Sequence, residues 1–233
     1  MPNLAEGLIY YVVFLFSTTV HEAAHAWVAK RGGDLTAYLG GQVSLDPRPH
    51  IRREPFGMVL LPVLSVLLTG WPFGYASAPY DPQWAIRHPR RAGLMALGGP
   101  VANLLLVVLS ALLLRAGYLA GLFYAPNSVG FGHIAATDAA GLWPAVAFFL
   151  GVMFSMNLLL AAFNLLPLPP LDGSGLPPLF LSPANARRYQ EFIWGTPALA
   201  LIGIILAWQV FDYVFHPVFL GAVNLLYPGT TYQ

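Results

Sequence analysis

Cysteine is absent from the 233 residues. Disulfides are therefore excluded, and any metal held by side chains has to rely on imidazole and carboxylate. Charge is nearly as scarce. Asp, Glu, Lys and Arg together make up 9% of the chain, against about 25% in an ordinary soluble domain, and the formal net charge is +1. A near-neutral chain has no global electrostatic footprint for nucleic acid or an acidic partner, so no nucleic-acid partner is expected. Internal repeats, low-complexity tails and linkers are also missing, and a single domain over 1–233 is expected.

What is abundant is apolar surface: 57% of residues are hydrophobic. So much of it cannot be hidden inside a water-soluble particle of this size, which makes the lipid bilayer the expected solvent. Four stretches, 6–29, 92–116, 143–166 and 196–222, are long enough to span hydrocarbon, which takes about 20 residues. The first lacks a basic leader and a small-residue cleavage site, and reads as a retained helix rather than a removed signal peptide. A fifth stretch, Gly57 to Gly70, is shorter and carries Pro62, as suits a re-entrant segment. Residues 34–46 hold Thr, Tyr and Val around Gly40-Gly41 and end at Pro47, a hairpin pattern. The expected fold is an all-α polytopic membrane protein: four spanning helices, a short re-entrant segment and a small β-hairpin near the active site.

The few basic residues test this topology. If 57–70 enters and leaves on one side, Lys30, Arg31, Arg48, Arg52, Arg53, Arg87, Arg90, Arg91, Arg187 and Arg188 share a side and Arg115 alone faces the other. If it spans fully, the basic residues divide six against five and set no orientation. The asymmetric solution is preferred, with the amino terminus outside and the basic loops in the cytoplasm.

The first spanning stretch ends in His21-Glu22-Ala23-Ala24-His25. On a helix, positions 21 and 25 share a face, so both imidazoles can bind one metal ion. Glu22 points elsewhere and suits a general base acting on water at that metal. Ionisable groups are costly at membrane depth, which disfavours a merely structural polar patch. A catalytic zinc wants a third protein ligand and an open position. Asp172, closing the proline-rich run Asn164-Leu165-Leu166-Pro167-Leu168-Pro169-Pro170-Leu171-Asp172-Gly173, is the candidate. In the re-entrant topology the helix before it ends on the same side as the first helix, so the three ligands can meet.

Other polar residues carry two readings each. His50 could be a fourth ligand or proton shuttle, but a loop histidine beside arginines is more often a solvated surface group. Asn103, after Gly98-Gly99-Pro100, and Asn164 either brace neighbouring helices or hydrogen-bond the substrate backbone or a developing oxyanion. Ser17, Thr18 and Thr19 would supply a short aqueous path. An unwound substrate, having lost its helical hydrogen bonds, would pair with a hairpin edge near residues 35–45.

Three motifs in order, His21-Glu22-Ala23-Ala24-His25, Gly98-Gly99-Pro100-Val101-Ala102-Asn103, and Asn164 through Gly173, resemble the site-2 proteases, the intramembrane zinc metalloproteases. The stretches 33–62 and 73–82 are similar to the compact bacterial and archaeal branch without PDZ or CBS module, although Ser77 and Ala78 stand where that branch commonly has Lys and Pro. The resemblance implies one zinc per chain held by His21, His25 and Asp172, with Glu22 activating water and Asn103 and Asn164 near the active site. It further implies a multi-pass protein of a prokaryotic inner membrane, with its active site toward the cytoplasm. The substrate would be a single-span membrane protein, such as an anti-sigma factor or membrane-bound regulator. The alternative from another class is a membrane zinc transporter or sensor using the same ligands, for which Glu22 has no specific role.

Overall fold

The computed structural model describes Asn3–Gln233. The chain runs α1 (Leu4–Gly32), α2 (Thr36–Leu39), α3 (Pro47–Arg53), α4 (Leu61–Thr69), α5 (Pro82–Arg87), α6 (Pro89–Leu119), α7 (Trp143–Asn164), α8 (Pro183–Gly195) and α9 (Ala198–Leu226). A backbone in hydrocarbon has to satisfy its own hydrogen bonds, which is why the apolar stretches become helices. Four of them, α1, α6, α7 and α9, are long and apolar enough to cross a membrane, and the chain is a multi-pass membrane protein.

At the start of α1, Asn3 accepts from the N–H groups of Ala5 and Glu6; at its end, Gly33 takes the left-handed φ of 95° that closes the helix. Helices α1, α6 and α7 form the core. α6 runs antiparallel to α1, with Arg91 donating to the Gly32 carbonyl at one end and Asn103 beside Ser17 further along. α7 runs parallel to α1, Phe148 packing on Tyr10 and Asn157 reaching Ser17. α9 lies outside, touching α7 through Phe211 on Phe163, while Trp208, Tyr213 and Leu225 are exposed as on a lipid-facing helix.

The segment between α1 and α6 leaves and returns at one end of α1. A π turn over Phe56–Leu60, where Pro62 withholds its N–H from the helical ladder, leads into α4. Met58 accepts from the Tyr11 hydroxyl, and Val66 packs against Gly7, so the chain climbs toward the start of α1. It turns at Trp71, whose ring packs at a tilt on Tyr10, and comes back without helix. At Asp81 its N–H donates to Asp34 Oδ2 at 2.8 Å, and Trp84 Nε1 then reaches the Gly32 carbonyl at 3.0 Å. This closed excursion is the path a re-entrant segment requires.

The hairpin expected over 34–46 does not form, and no strand occurs among the described residues beyond an isolated bridge between Tyr124 and Ala136. Asp34 is the reason. Its Oδ1 accepts from both the N–H and the hydroxyl of Thr36, a local bond that starts the single helical turn of α2. Gly41, at φ 76°, ends that turn, with Gln42 N–H returning to the Ala37 carbonyl. Residues 35–45 therefore offer no β edge.

Candidate metal centre

His21 and His25 project from one face of α1, one turn apart, with their Nε2 atoms 3.0 Å from each other. Beyond α7 the proline-rich run folds back and ends in a 3₁₀ turn, Asp172–Gly175. That return brings Asp172 Oδ2 to 3.1 Å from His21 Nε2 and 3.2 Å from His25 Nε2. Both imidazoles are buried, and the three residues each offer one ligand atom within 4.8 Å of the others.

The outer hydrogen bonds fix what these rings present. His25 Nδ1 lies 2.7 Å from the Met95 carbonyl, which can only accept, so Nδ1 carries the proton. His21 Nδ1 lies 2.5 Å from Asn103 Oδ1 and donates in the same way. Neutral imidazoles so fixed turn both Nε2 lone pairs onto a carboxylate: three acceptors converge with no hydrogen between them. Only positive charge reconciles them. Two nitrogens and one oxygen suit zinc, and three protein ligands leave a position open. The opposite wall is cut away for such an ion: a Cβ at Gly99 would fall onto the Nε2 atoms of both histidines. The donor set and this cradle fit one zinc ion per chain.

Beside the cluster lies a cleft of about 1040 Å³. Its walls include Thr18 and Glu22 of α1, Ala76 of the returning segment, Gln190 of α8 and Trp208 of α9. Glu22 is 6% exposed, and among the described residues no hydrogen bond reaches its carboxylate. It does not join the cluster of His21, His25 and Asp172.

The remaining expected residues separate. Asn103 is fully buried with its amide committed to His21, Asn157 and Ser17, and it is not in the cleft wall, so it cannot meet substrate or an oxyanion. Asn164 does line the cleft, donating to its own helix at the Leu160 carbonyl. His50 is neither a surface group nor a ligand: it is 1% exposed, with Nε2 at 3.0 Å from the Ser44 carbonyl. Of the three residues expected to admit water, only Thr18 faces the cleft; Ser17 and Thr19 are buried, Ser17 within the asparagine cluster and Thr19 bonded to the Leu15 carbonyl. Asn157 had no expected role, although a lone amide within the apolar run of α7 is itself a signal.

Two histidines one helical turn apart, an intervening unpaired glutamate and a distant aspartate, set in a helical membrane protein, define the class of membrane zinc-peptidase centres. The family model described as Peptidase family M50 matches residues 9–208. The chain belongs to that family, the site-2 protease family whose motifs it bears. It is 36% identical to YwhC of Bacillus subtilis over 163 residues, 70% of this chain and 64% of that protein. To Rip2 of Mycolicibacterium smegmatis it is 31% identical over 224 residues, 91% of this chain and 77% of that protein. To Rip2 of Mycobacterium tuberculosis it is 34% identical over 188 residues, 80% of this chain and 63% of that protein. All three are named as zinc metalloproteases. The match thus spans less than two thirds of the Bacillus and Mycobacterium tuberculosis proteins. No solved structure gives a significant match.

Proposed function

We propose that the whole chain, 1–233, is one intramembrane zinc metalloendopeptidase domain. It hydrolyses a peptide bond in or near the transmembrane segment of a single-span membrane protein, such as an anti-sigma factor or membrane-bound regulator. The observation that carries this reading is the unpaired Glu22 carboxylate in a cleft wall beside three converging ligands. Zinc held by His21, His25 and Asp172 supplies Lewis acidity toward water and a carbonyl oxygen. Glu22 takes the proton from the attacking water and delivers it to the leaving amine. Asn103 keeps its amide on His21 and orients that ring. Transport or sensing would leave Glu22 without a task.

A substrate helix has to unwind before its amides can be attacked. The returning segment, not residues 35–45, supplies the backbone partner. Along it Tyr75 N–H donates to the Gly57 carbonyl, and the Ser77 carbonyl accepts from Gln42 and Arg53, so these main-chain groups are already paired. Among the described residues no hydrogen bond reaches the main chain of Ala76 or Ala78, and both line the cleft. An extended substrate pairs there by main-chain hydrogen bonds. Ten of the eleven basic residues, all but Arg115, lie at the end of the bundle nearer the cluster or in its connecting segments, which supports a cytoplasmic site in the cell membrane.

Detergent-purified protein given zinc and a panel of single-span substrates tests the reading, the cut being mapped by mass spectrometry. Cleavage within or at the edge of the apolar segment is expected. Cleavage confined to soluble tails, or none across the panel, overturns it.

A further inference from the structure

Behind His21, on the side away from the cleft, three helices meet in a small polar cluster that the reaction itself does not touch. Asn157 of α7 and Asn103 of α6 are both fully buried, as is Ser17 of α1. Asn103 Nδ2 donates to Asn157 Oδ1 at 2.7 Å, and Asn157 Nδ2 donates to the Met153 carbonyl at 2.7 Å and to Ser17 Oγ at 2.9 Å. A weaker bond joins Asn103 Nδ2 to the Ser17 carbonyl at 3.4 Å.

The direction of every bond in this chain is fixed from one end. The Met153 carbonyl can only accept, so the Asn157 group facing it is the NH₂ and the group facing Asn103 is the oxygen. An oxygen there demands the NH₂ of Asn103, which turns the Asn103 oxygen toward His21. That oxygen in turn demands a proton on His21 Nδ1, leaving the Nε2 lone pair for a ligand. Were Asn103 turned over, its NH₂ would face Nδ1 and favour the opposite tautomer, with a hydrogen on the Nε2 that faces Asp172. His25 needs no such relay, because a main-chain carbonyl already sets its tautomer.

We infer that Asn157 is a positioning residue for the metal centre: reading the Met153 carbonyl, it locks the Asn103 amide and thereby sets the His21 tautomer. This deepens the zinc-peptidase reading and rests on it. Outer partners of a metal-bound histidine are typically worth about 10- to 100-fold in metal affinity.

The test is cobalt affinity, read by visible absorption on the metal-free full chain in detergent, with thermal unfolding of the same samples alongside. Asn157→Leu removes the lock and is expected to weaken cobalt binding by about 10- to 100-fold. Asn103→Asp places a carboxylate, an acceptor at either oxygen, against His21 Nδ1. In that background the lock is unnecessary, so the double variant Asn103→Asp/Asn157→Leu is expected to bind within about threefold of wild type, by the same outer-partner logic. Should Asn157→Leu fail to fold, Asn157→Ala is read identically. The inference is overturned if the single variant binds as wild type does, or if its loss persists undiminished in the double variant, which marks a packing role. If wild type itself takes up no cobalt, the metal-centre reading fails and the inference falls with it.

Discussion

Adding one methyl at Gly99 probes the cradle opposite the imidazoles. The Cβ of Gly99→Ala would fall onto the Nε2 atoms of His21 and His25, while Gly98, its neighbour, already sits so close to α1 that a Cβ there would be 3.2 Å from the Ala24 carbonyl oxygen. With α6 tied to α1 and α7 by the Asn103 bonds to Ser17 and Asn157, the rings have to swing. Swinging both breaks the Nδ1 bonds to Asn103 and Met95, each worth about 0.5–1.5 kcal/mol net. Their combined loss of about 1–3 kcal/mol corresponds to roughly 5- to 150-fold in zinc affinity. Competition with a chromophoric chelator measures it. Gly98→Ala serves as the control: its Cβ would meet Val28 and the Ala24 main chain, not the rings. Its effect falls on the packing of α6 against α1 and leaves zinc affinity in place. Zinc binding by Gly99→Ala equal to wild type would refute the cradle.

Asp172→Ala removes the sole carboxylate of the ligand group, so its zinc content after dialysis should fall well below one per chain; full retention by atomic absorption would exclude Asp172 as a ligand. Ala76→Pro deletes one N–H from the cleft wall, and a net hydrogen bond of about 0.5–1.5 kcal/mol sets the expected loss in kcat/KM at roughly 2- to 10-fold. Unchanged kcat/KM with zinc retained would exclude main-chain pairing at Ala76.

The spanning helices and the convergence of His21, His25 and Asp172 were legible because both announce themselves through cost. Long apolar runs have one place to go, and histidine, glutamate and aspartate at membrane depth need a reason to be there. Asp172 could be assigned to the site from the side on which its helix had to end. Residues 34–46 misled because Thr36, Tyr38, Val43 and the glycine pair match a hairpin composition, whereas one local bond set from Asp34 to Thr36 decides for helix. The returning segment 72–81 reads from sequence only as a proline- and glycine-rich loop, and its place was not legible because it is set by Asp34, Gly57 and Glu54 from elsewhere. Asn103 and Asn164 looked equivalent as buried amides. Only the register of α6 against α1 and α7 separates one that orients a histidine from one that lines the cleft.

Glu22→Gln tests the central claim most directly, because it keeps the size of the side chain and removes its capacity to carry a proton. Zinc content and cleavage of a transmembrane substrate should be measured on the same purified sample. The expected result is one zinc per chain with cleavage reduced by about 10²- to 10⁴-fold, the usual range for losing a general base. Full cleavage by a zinc-loaded Glu22→Gln protein would contradict the assignment of Glu22 and, with it, the peptidase mechanism.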